Sequence, residues 1–263
     1  MTVTLIITTY KWVSALELVL KSLIKQSRYP EQIIIAEDAQ DVETANVVKK
    51  YNEKYNLKLL HINHPDEGFR RSAILNKAIK AVTSDYIIQL DGDCIMHKHF
   101  VRDHAIAAEK NIFISGYRNH LREDFTTRIC KTGKLPNFLE KVLFSKINSK
   151  YFFSLPKISQ KKSFYETETA NMVYGCNMSY WKKDVLAING YDEDFVGWGH
   201  EDYEFAQRLI NKGVKRKNIR YGAVLFHLYH PEEDRKRGGI NMTIRDNTIA
   251  NKATFCKNGI EKL

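Results

Sequence analysis

The first ninety residues alternate short apolar runs with longer stretches in which apolar residues recur at helical spacing. Short apolar runs predict buried strands, whereas recurrence every three to four positions predicts amphipathic helices. The predicted elements are, in chain order, strand 3–8, helix 13–24, strand 33–36, helix 42–55, strand 57–62, helix 71–82 and strand 86–90. This order predicts an α/β fold with a mostly parallel central sheet, right-handed crossovers and helices on its faces.

The pattern changes in residues 118–168, where lysine and arginine become frequent and prolines stand at positions 136 and 156. We predict a basic helical insertion with one packed face; contact with an anionic membrane or with a nucleic acid are the alternatives. Aromatic residues are interleaved with the basic ones: Phe125, Phe138, Phe144, Tyr151, Phe152 and Phe153.

Composition narrows the class of protein. With 263 residues, 43% hydrophobic and 27% charged, the chain is long enough for one large α/β domain or two small ones. No apolar run reaches the roughly 20 residues that cross a bilayer, and the N-terminus lacks the features of a signal peptide. Four widely separated cysteines fit a reducing compartment, so we expect a cytoplasmic protein without a zinc ribbon. The net charge of +10 predicts an anionic partner.

Two aspartates stand at the end of the fourth predicted strand. Asp91 and Asp93 follow its apolar run with one glycine between them. Carboxylates there suit a hard divalent cation with substrate phosphates, although Asp-Gly-Asp is also common in solvated turns. Because the carboxyl ends of parallel strands share one crevice, residues after the other strands belong to the same candidate site. They are Thr8, Thr9 and Tyr10 after the first strand, Glu37 and Asp38 after the second, and residues 64–71, with Arg70 and Arg71, after the third.

A second group of candidate residues lies more than a hundred positions downstream. Residues 197–200, Gly-Trp-Gly-His, precede a predicted amphipathic helix that Glu201 and Asp202 open. The helix dipole favours acids in a first turn, but it does not explain the Gly-Trp-Gly sequence before them. An aromatic ring beside a carboxylate suits a sugar, whose apolar face stacks on the ring while the acid accepts a hydroxyl proton.

Two histidines follow the last predicted strand. Residues 224–226 predict a short strand that ends at His227, and His230 follows three positions later. Imidazole suits manganese and other transition ions better than it suits magnesium or calcium. His227 is the preferred metal ligand because it stands at the strand end, and His230 is the alternative.

The most specific patterns in the chain are three blocks: LIITTYKW with IIIAED, EGFRRSAILNKAI through LDGDC, and GCNMSYW through GWGHEDYEFAQRL. They resemble GT-A-fold glycosyltransferases of the large family-2 type. The C-terminal half is also similar to the galactosyltransferase-like region of bacterial chondroitin polymerases and animal β-1,4-galactosyltransferases. This resemblance covers about residues 3–230 and implies the GT-A fold. With it, the chain divides into a nucleotide-sugar-binding half at 1–117, the basic aromatic insertion at 118–168, an acceptor and catalytic half at 169–231, and a C-terminal tail at 232–263.

The resemblance implies roles for the donor residues. The Asp-Gly-Asp triplet matches the family's D-x-D motif, so Asp93 would bind Mn²⁺ or Mg²⁺ directly, and Asp91 would hold the ribose or a metal-bound water. His227, or His230 in its place, would complete the metal site. The remaining donor-binding residues would be Thr8 and Tyr10 in the nucleotide pocket, Asp38 at the uracil or ribose, and Arg70 or Arg71 near the diphosphate.

The resemblance also implies roles in the acceptor half. Asp202 would be the base that deprotonates the acceptor hydroxyl, and Glu201 would orient the acceptor. Trp198 would stack on a sugar, with Gly199 and His200 beside it. His200 stands where the family commonly has glycine, a departure that bears on acceptor geometry.

We therefore expect a metal-dependent, inverting glycosyltransferase that uses UDP-galactose, UDP-N-acetylglucosamine, UDP-N-acetylgalactosamine or UDP-glucose. A glycan or lipid-linked acceptor in bacterial surface polysaccharide or lipopolysaccharide synthesis would fit, with contact at the inner face of the cytoplasmic membrane. The alternatives are a nucleotidyltransferase that uses the same carboxylate and metal site, and a basic nucleic-acid-binding protein. Neither accounts for the acids, the tryptophan and the histidines together, so no nucleic acid partner is expected.

Overall fold

The computed structural model of the chain describes residues 1–146, 152–231 and 238–262. Tyr151 and the charged part of the predicted tail, 232–237, lie outside these ranges. The strands are β1 (Val3–Thr9), β2 (Gln32–Glu37), β3 (Leu60–Asn63), β4 (Tyr86–Asp91), β5 (Cys94–Met96), β6 (Ile112–Ser115), β7 (Asn119–His120), β8 (Phe164–Glu166), β9 (Asn177–Trp181), β10 (Lys215–Asn218) and β11 (Leu225–His227). The helices are α1 (Val13–Ile24), α2 (Val42–Tyr55), α3 (Arg71–Lys80), α4 (Phe100–Ala107), α5 (Glu123–Thr132), α6 (Phe138–Leu143), α7 (Pro156–Lys162), α8 (Lys182–Leu186), α9 (Glu201–Asn211) and α10 (Gly238–Ala250), with a 3-10 turn at Ile260–Lys262.

The central sheet has the strand order β3-β2-β1-β4-β9-β6-β10-β8. Its first four strands are parallel, as the alternation of apolar runs and helical stretches predicts. All seven residues of β1 are buried, because helices cover both faces of the sheet at its centre. β9 runs antiparallel between β4 and β6, and β8 is antiparallel to β10 at the edge. The predicted α/β fold with a mostly parallel sheet is confirmed.

A second, small sheet lies beside the carboxyl end of β4. It has the order β5-β11-β7, with β11 antiparallel to β5 and parallel to β7. Side chains alternate between the two faces of a strand, so neighbours on β11 point in opposite directions. Phe226 packs in a core cluster with Phe125 and Ile129 of α5. The next residue, His227, therefore faces the other way, toward the end of β4.

The start of the third strand differs from its prediction by three residues. The third strand was expected at 57–62 but begins at Leu60. Asn56 and Lys58 have φ of +50° and +52°, so the chain is still turning after α2 and cannot extend earlier.

Residues 118–168 contain the predicted helices α5, α6 and α7, together with β7 and β8, one in each sheet. The status of this segment as an insertion stays a prediction, as do the four segment boundaries. Within the described part of the predicted tail, α10 packs on α9 and the 3-10 turn packs on α3. A search of the described ranges finds no helix with both the length and the apolar character needed to cross a membrane.

Candidate active site

One arginine joins the two groups of acids that the sequence predicts. Arg71 is the first residue of α3, and its guanidinium lies 2.8 Å from Asp91 Oδ1 and 2.8 Å from Asp202 Oδ1. Glu201 Oε1 lies 3.5 Å from the same guanidinium. Burial lowers the pKa of Arg71, but the three carboxylates outweigh burial and raise that pKa well above its ordinary value. The end of β4 and the start of α9 therefore form one site.

Asp202 is held by three hydrogen-bond donors. Its Oδ1 accepts from Arg71 Nη1 at 2.8 Å and from the Tyr191 hydroxyl at 3.2 Å, and its Oδ2 accepts from the Gly175 amide at 3.0 Å. A Cβ at position 175 would lie 2.1 Å from Asp202 Oδ2, so this approach requires glycine. The Asp202 side chain still keeps 20% of its surface exposed. It is both oriented and accessible, as a general base must be.

Glu201 is less acidic than an ordinary glutamate. Burial, followed by the charge of Asp202, raises the pKa of Glu201 to about 7. Its Oε2 accepts a hydrogen bond from the Gly199 amide at 3.1 Å, which ties it to the loop before α9. Near neutral pH, Glu201 therefore exists in both protonation states.

The predicted acceptor loop meets the predicted donor loop. The Gly197 amide donates to the Phe69 carbonyl at 2.9 Å, which joins the Gly-Trp-Gly sequence to the segment between β3 and α3. Trp198 is half-buried, so part of its surface is accessible to a ligand. The two loops thus border the same crevice.

Helix α10 holds the end of the acceptor loop. The Asn241 side-chain amide donates to the Gly199 carbonyl at 3.1 Å, and Arg245 Nη1 lies 3.0 Å from His200 Nδ1. His200 has φ of +74°, a left-handed conformation that is sterically unfavourable for any residue but glycine. The helix therefore stabilises an unfavourable backbone conformation directly before Glu201.

Asp93 and the two predicted histidines form the candidate metal centre. Asp93 Oδ2 lies 3.4 Å from His230 Nε2 and 3.6 Å from His227 Nε2. The other ring nitrogen of each histidine contacts a backbone carbonyl, at 2.6 Å from Leu228 for His227 and at 2.7 Å from Pro231 for His230. When Nδ1 donates its proton to a carbonyl, Nε2 carries the free lone pair, and in both histidines Nε2 is the nitrogen near Asp93. Metal-binding histidines are commonly held by such a hydrogen bond from their other nitrogen. One carboxylate and two imidazoles suit Mn²⁺, so these residues fit the expected metal.

Two further side chains lie next to this centre. Cys94 Sγ is close to the ligand atoms of Asp93 and His227, but burial raises the pKa of Cys94 well above its ordinary value. A protonated thiol is a poor metal ligand. The centre of the His120 ring lies 5.2 Å from that of His227. Burial, followed by nearby positive charges, lowers the pKa of His120 to about 4, so His120 is a neutral ring packed against the metal centre.

The two aspartates of the Asp-Gly-Asp sequence point to different partners. Thr8 Oγ1 donates to Asp91 Oδ1 at 2.7 Å, on the oxygen that also contacts Arg71. Burial raises the pKa of Asp91, but Arg71 and Thr8 outweigh burial and lower that pKa. A Cβ on Gly92 would lie 2.8 Å from the Thr8 carbonyl, so glycine allows the turn between the aspartates. Asp91 thus lies on the side of Arg71, and Asp93 on the side of the histidines.

The other predicted donor residues are held by local contacts. Asp38 Oδ1 lies 2.6 Å from His64 Nε2, and Asp38 Oδ2 accepts from the Arg70 amide at 2.8 Å. The Arg70 side chain pairs with Glu67. Tyr10 follows β1 and is exposed. The structure therefore places Asp38 and Arg70 together, whereas Arg70 and Arg71 point to different partners.

Sequence reasoning gives no role to Gly175, Tyr191, His64 or His120. Gly175 and Tyr191 lie in the same block as Asp202, but spacing does not show that they meet its carboxylate. His64 stands among the residues that follow the third strand, but that position does not show that its ring meets Asp38. His120 stands on a two-residue strand, and its approach to the metal centre depends on pairing with β11.

The chain matches two families of known proteins. Residues 4–184 match the family described as Glycosyl transferase family 2, and residues 157–231 match the family described as N-terminal domain of galactosyltransferase. The chondroitin synthase of Escherichia coli is 23% identical over 267 residues. That alignment covers 92% of this chain and 37% of the synthase, so the chain spans less than half the length of this relative.

Two solved structures share the fold. TarS of S. aureus, in complex with UDP, has a TM-score of 0.63 at 16% identity, with 96% of this chain and 65% of that chain covered. The mannosyltransferase PcManGT of Pyrobaculum calidifontis, in complex with GDP-Man and Mn²⁺, has a TM-score of 0.58 at 16% identity, with 95% of this chain and 62% of that chain covered. These likenesses confirm the GT-A fold that the sequence resemblance implies.

Proposed function

Because the chain belongs to glycosyl transferase family 2, we propose that this glycosyltransferase moves a sugar from a UDP-sugar to a glycan or lipid-linked acceptor, with a divalent metal and with inversion of the anomeric carbon. Galactose, N-acetylglucosamine, N-acetylgalactosamine and glucose are the candidate sugars. Bacterial surface polysaccharide or lipopolysaccharide synthesis at the inner face of the cytoplasmic membrane is the proposed setting. The UDP bound to TarS and the Mn²⁺ bound to PcManGT support the nucleotide and the metal.

The observation that carries this proposal is the ion-pair bridge of Arg71. Its guanidinium contacts Asp91 at the end of the D-x-D strand and Asp202 at the start of α9. A nucleotidyltransferase needs only the first carboxylate group, and a nucleic-acid-binding protein needs neither. Arg71 joins Asp91, on the proposed donor side, to Asp202, on the proposed acceptor side. This arrangement favours transfer of a group between two bound substrates.

Asp202 is proposed as the catalytic base. Its Oδ1 already accepts two hydrogen bonds, whereas its Oδ2 accepts one, from the Gly175 amide. A carboxylate oxygen has two lone pairs, so Oδ2 retains one for the acceptor hydroxyl. The hydroxyl oxygen bonds to the anomeric carbon as the bond from that carbon to the UDP oxygen breaks, and the hydroxyl proton passes to Oδ2. One displacement of this kind inverts the anomeric carbon.

Asp93 and His227 are proposed as the metal ligands, with His230 as a third. A bound Mn²⁺ or Mg²⁺ supplies Lewis acidity that neutralises charge on the departing diphosphate. Asp91 is held by Arg71 and Thr8, which supports the proposed role of Asp91 at the ribose or at a metal-bound water. Glu201 and residues 198–200 are proposed to bind the acceptor.

UDP release tests the donor and the chemistry. Each candidate UDP-sugar is incubated with the chain and an acceptor glycan, with Mn²⁺ or with a chelator, and UDP is measured. We expect Asp93→Asn and Asp202→Asn each to lower turnover by about 100-fold or more. Asp124→Asn changes an exposed acid on α5 and serves as the matched control. Turnover that survives both site variants would contradict the mechanism, and release without metal would contradict the metal role.

A further inference from the structure

Helix α6 carries large apolar side chains on the molecular surface. None of its residues is buried. The exposed fraction is 64% for Leu139, 61% for Leu143 and 53% for Phe153, and the Phe138 and Phe153 rings lie 5.2 Å apart. These side chains, with Val142, are called the apolar patch below. Exposed apolar groups of this size mark surfaces that meet a partner.

Basic side chains surround the apolar patch. Lys141 lies on α6 itself, and the pKa of Lys141 is lowered to about 8 by burial and then by the positive charge of Lys25. The pKa of His97 is lowered to about 4 by burial, by His99, and by the positive charges of Lys141, Lys98 and Arg102. Lys25, Lys98, Arg102 and Lys141 are called the cation cluster below. Lys25 is close enough to act on Lys141, and Lys98 and Arg102 are close enough to act on His97, so positive charges gather beside α6.

The cation cluster adjoins the apolar patch. Arg102 Nη2 donates to Ser154 Oγ at 2.9 Å, one residue after Phe153. The acids nearby are already paired, Glu140 with Arg128 at 2.9 Å and Asp103 with Arg102 at 2.9 Å. Residues 118–168 contain eleven lysines and arginines against five acids, which is most of the excess behind the net charge of +10. A partner of this surface therefore has to be both anionic and apolar.

We propose that the apolar patch and the cation cluster form a docking surface for an anionic lipid bilayer. The apolar side chains would enter the interfacial region, and the exposed Lys25 and Lys98 would meet the headgroups. A soluble acidic glycan would satisfy the charges but would leave the apolar patch in water. A neutral bilayer would receive the apolar patch but would leave the charges uncompensated. An anionic bilayer alone satisfies both.

The docking surface lies behind the candidate metal centre. Lys141 Nζ lies 4.9 Å from the centre of the Phe226 ring, and Phe152 stacks on that ring at 6.2 Å. His227, the next residue of β11, faces Asp93. Docking would therefore leave the candidate metal centre separated from the bilayer by β11, with the crevice facing away from the docked side chains, so a lipid-linked acceptor would have to extend its glycan around this edge of the protein; this last step rests on the proposed function.

Vesicle co-sedimentation tests the docking surface. The full chain is mixed with vesicles of phosphatidylcholine alone or of phosphatidylcholine with phosphatidylglycerol. We expect binding to the anionic vesicles only, weakened by salt. Lys25→Gln with Lys98→Gln should weaken it by about five-fold for each lysine. Leu139→Ser with Leu143→Ser should weaken it by at least ten-fold.

Matched controls separate docking from folding and from activity. Lys49→Gln with Lys54→Gln makes the same charge change on α2, and Leu186→Ser with Ile249→Ser changes apolar residues that are exposed elsewhere. The controls should bind as the parent chain does. Every variant should retain the parent's UDP release in the absence of vesicles, so loss of that activity alone would count against the proposed function instead. The proposal would be overturned by equal binding to both vesicle types or by unchanged binding of the two docking variants. It would also be overturned if a second copy of the chain covers the apolar patch.

Discussion

At the residue scale, the position of the Asp202 carboxylate depends on position 175 being a glycine. The Gly175 amide can reach Asp202 Oδ2 because position 175 carries no Cβ. A methyl group there would occupy the space of the carboxylate, which would have to move away from both Gly175 and Tyr191. The lone pair on Oδ2 would then no longer point at an acceptor hydroxyl.

Gly175→Ala is therefore expected to lower kcat for sugar transfer by about 100-fold, because a displacement of about 1 Å is enough to cause such a loss. UDP binding should change little, since the donor residues lie on other elements. Steady-state kinetics and calorimetric titration of UDP measure the two effects. Gly239→Ala is the control, because among the described residues no atom lies within 4 Å of the added Cβ. Equal kcat values for the two variants would contradict the role of Asp202.

The raised pKa of Glu201 predicts a pH dependence. As the pH rises through about 7, Glu201 loses its proton, and the new negative charge beside Asp202 favours movement of the acceptor's proton toward this pair of carboxylates. The kcat should therefore increase across that range. Glu201→Gln removes the titrating group and should give a flat profile at the low-pH level. Glu43→Gln, an exposed acid on α2, should keep the parent profile; the same rise in Glu201→Gln would rule out this assignment.

At the scale of elements, neighbouring side chains of β11 point to opposite faces of the strand, so one packs in the core and the next reaches the candidate metal centre. Phe226 packs against the helices of residues 118–168, and His227 turns to Asp93. His230 follows in a segment outside the strand, yet its Nε2 is as close to Asp93 as that of His227. The sequence predicts one histidine with the other as alternative, and the geometry favours both.

Removal of either histidine should weaken the metal site. His227→Ala and His230→Ala are each expected to lower the apparent affinity for Mn²⁺ by about ten-fold or more, since each removes one ligand. The shift in Tm with added Mn²⁺ measures this effect without turnover. His99→Ala, which removes a ring bonded to Ser27, is the control. If only His227→Ala has an effect, the centre uses a single histidine.

The elements that sequence patterns predict best are those whose buried residues are apolar. β1, β2 and β4 are apolar runs, and their order is confirmed. β9 was not predicted, because Asn177 and Ser179 on it are buried polar residues. They bond to His104 at 3.0 Å and 2.8 Å, contacts that exist only after folding. The acids of the candidate site could be predicted from the sequence, because each stands at the end of a predicted strand or at the start of a predicted helix.

At the scale of the whole molecule, Arg71 connects the two predicted halves. It lies in the donor half, and two of its three carboxylate partners lie in the acceptor half. The separation of these residues along the chain does not show that they meet in the fold. The sequence therefore predicts both groups of acids but not the ion pairs by which Arg71 joins them. The halves are therefore expected to unfold together.

Arg71→Met should lower the free energy of unfolding by about 3 kcal/mol or more, because it leaves buried carboxylates without a cation. The loss should be smaller at pH 5 than at pH 7.5, since unpaired carboxylates can take up protons as the pH falls. Urea unfolding followed by fluorescence and by circular dichroism measures both effects. Arg70→Met is the matched control, because its side chain pairs at the surface with Glu67. A loss that is the same at both pH values, or two separate transitions, would contradict the bridge.

Helix α10 has a consequence for enzyme recombination. The family matches end at residue 231, whereas the side chains that hold the acceptor loop, Asn241 and Arg245, lie beyond that point. A chimera joined at residue 231 would inherit the sheet, the proposed metal ligands and the proposed base. It would leave His200 without the contacts that stabilise its left-handed conformation, and the loop could relax to another shape. The unit that can be exchanged between such enzymes is therefore longer than the segment that the two family matches cover.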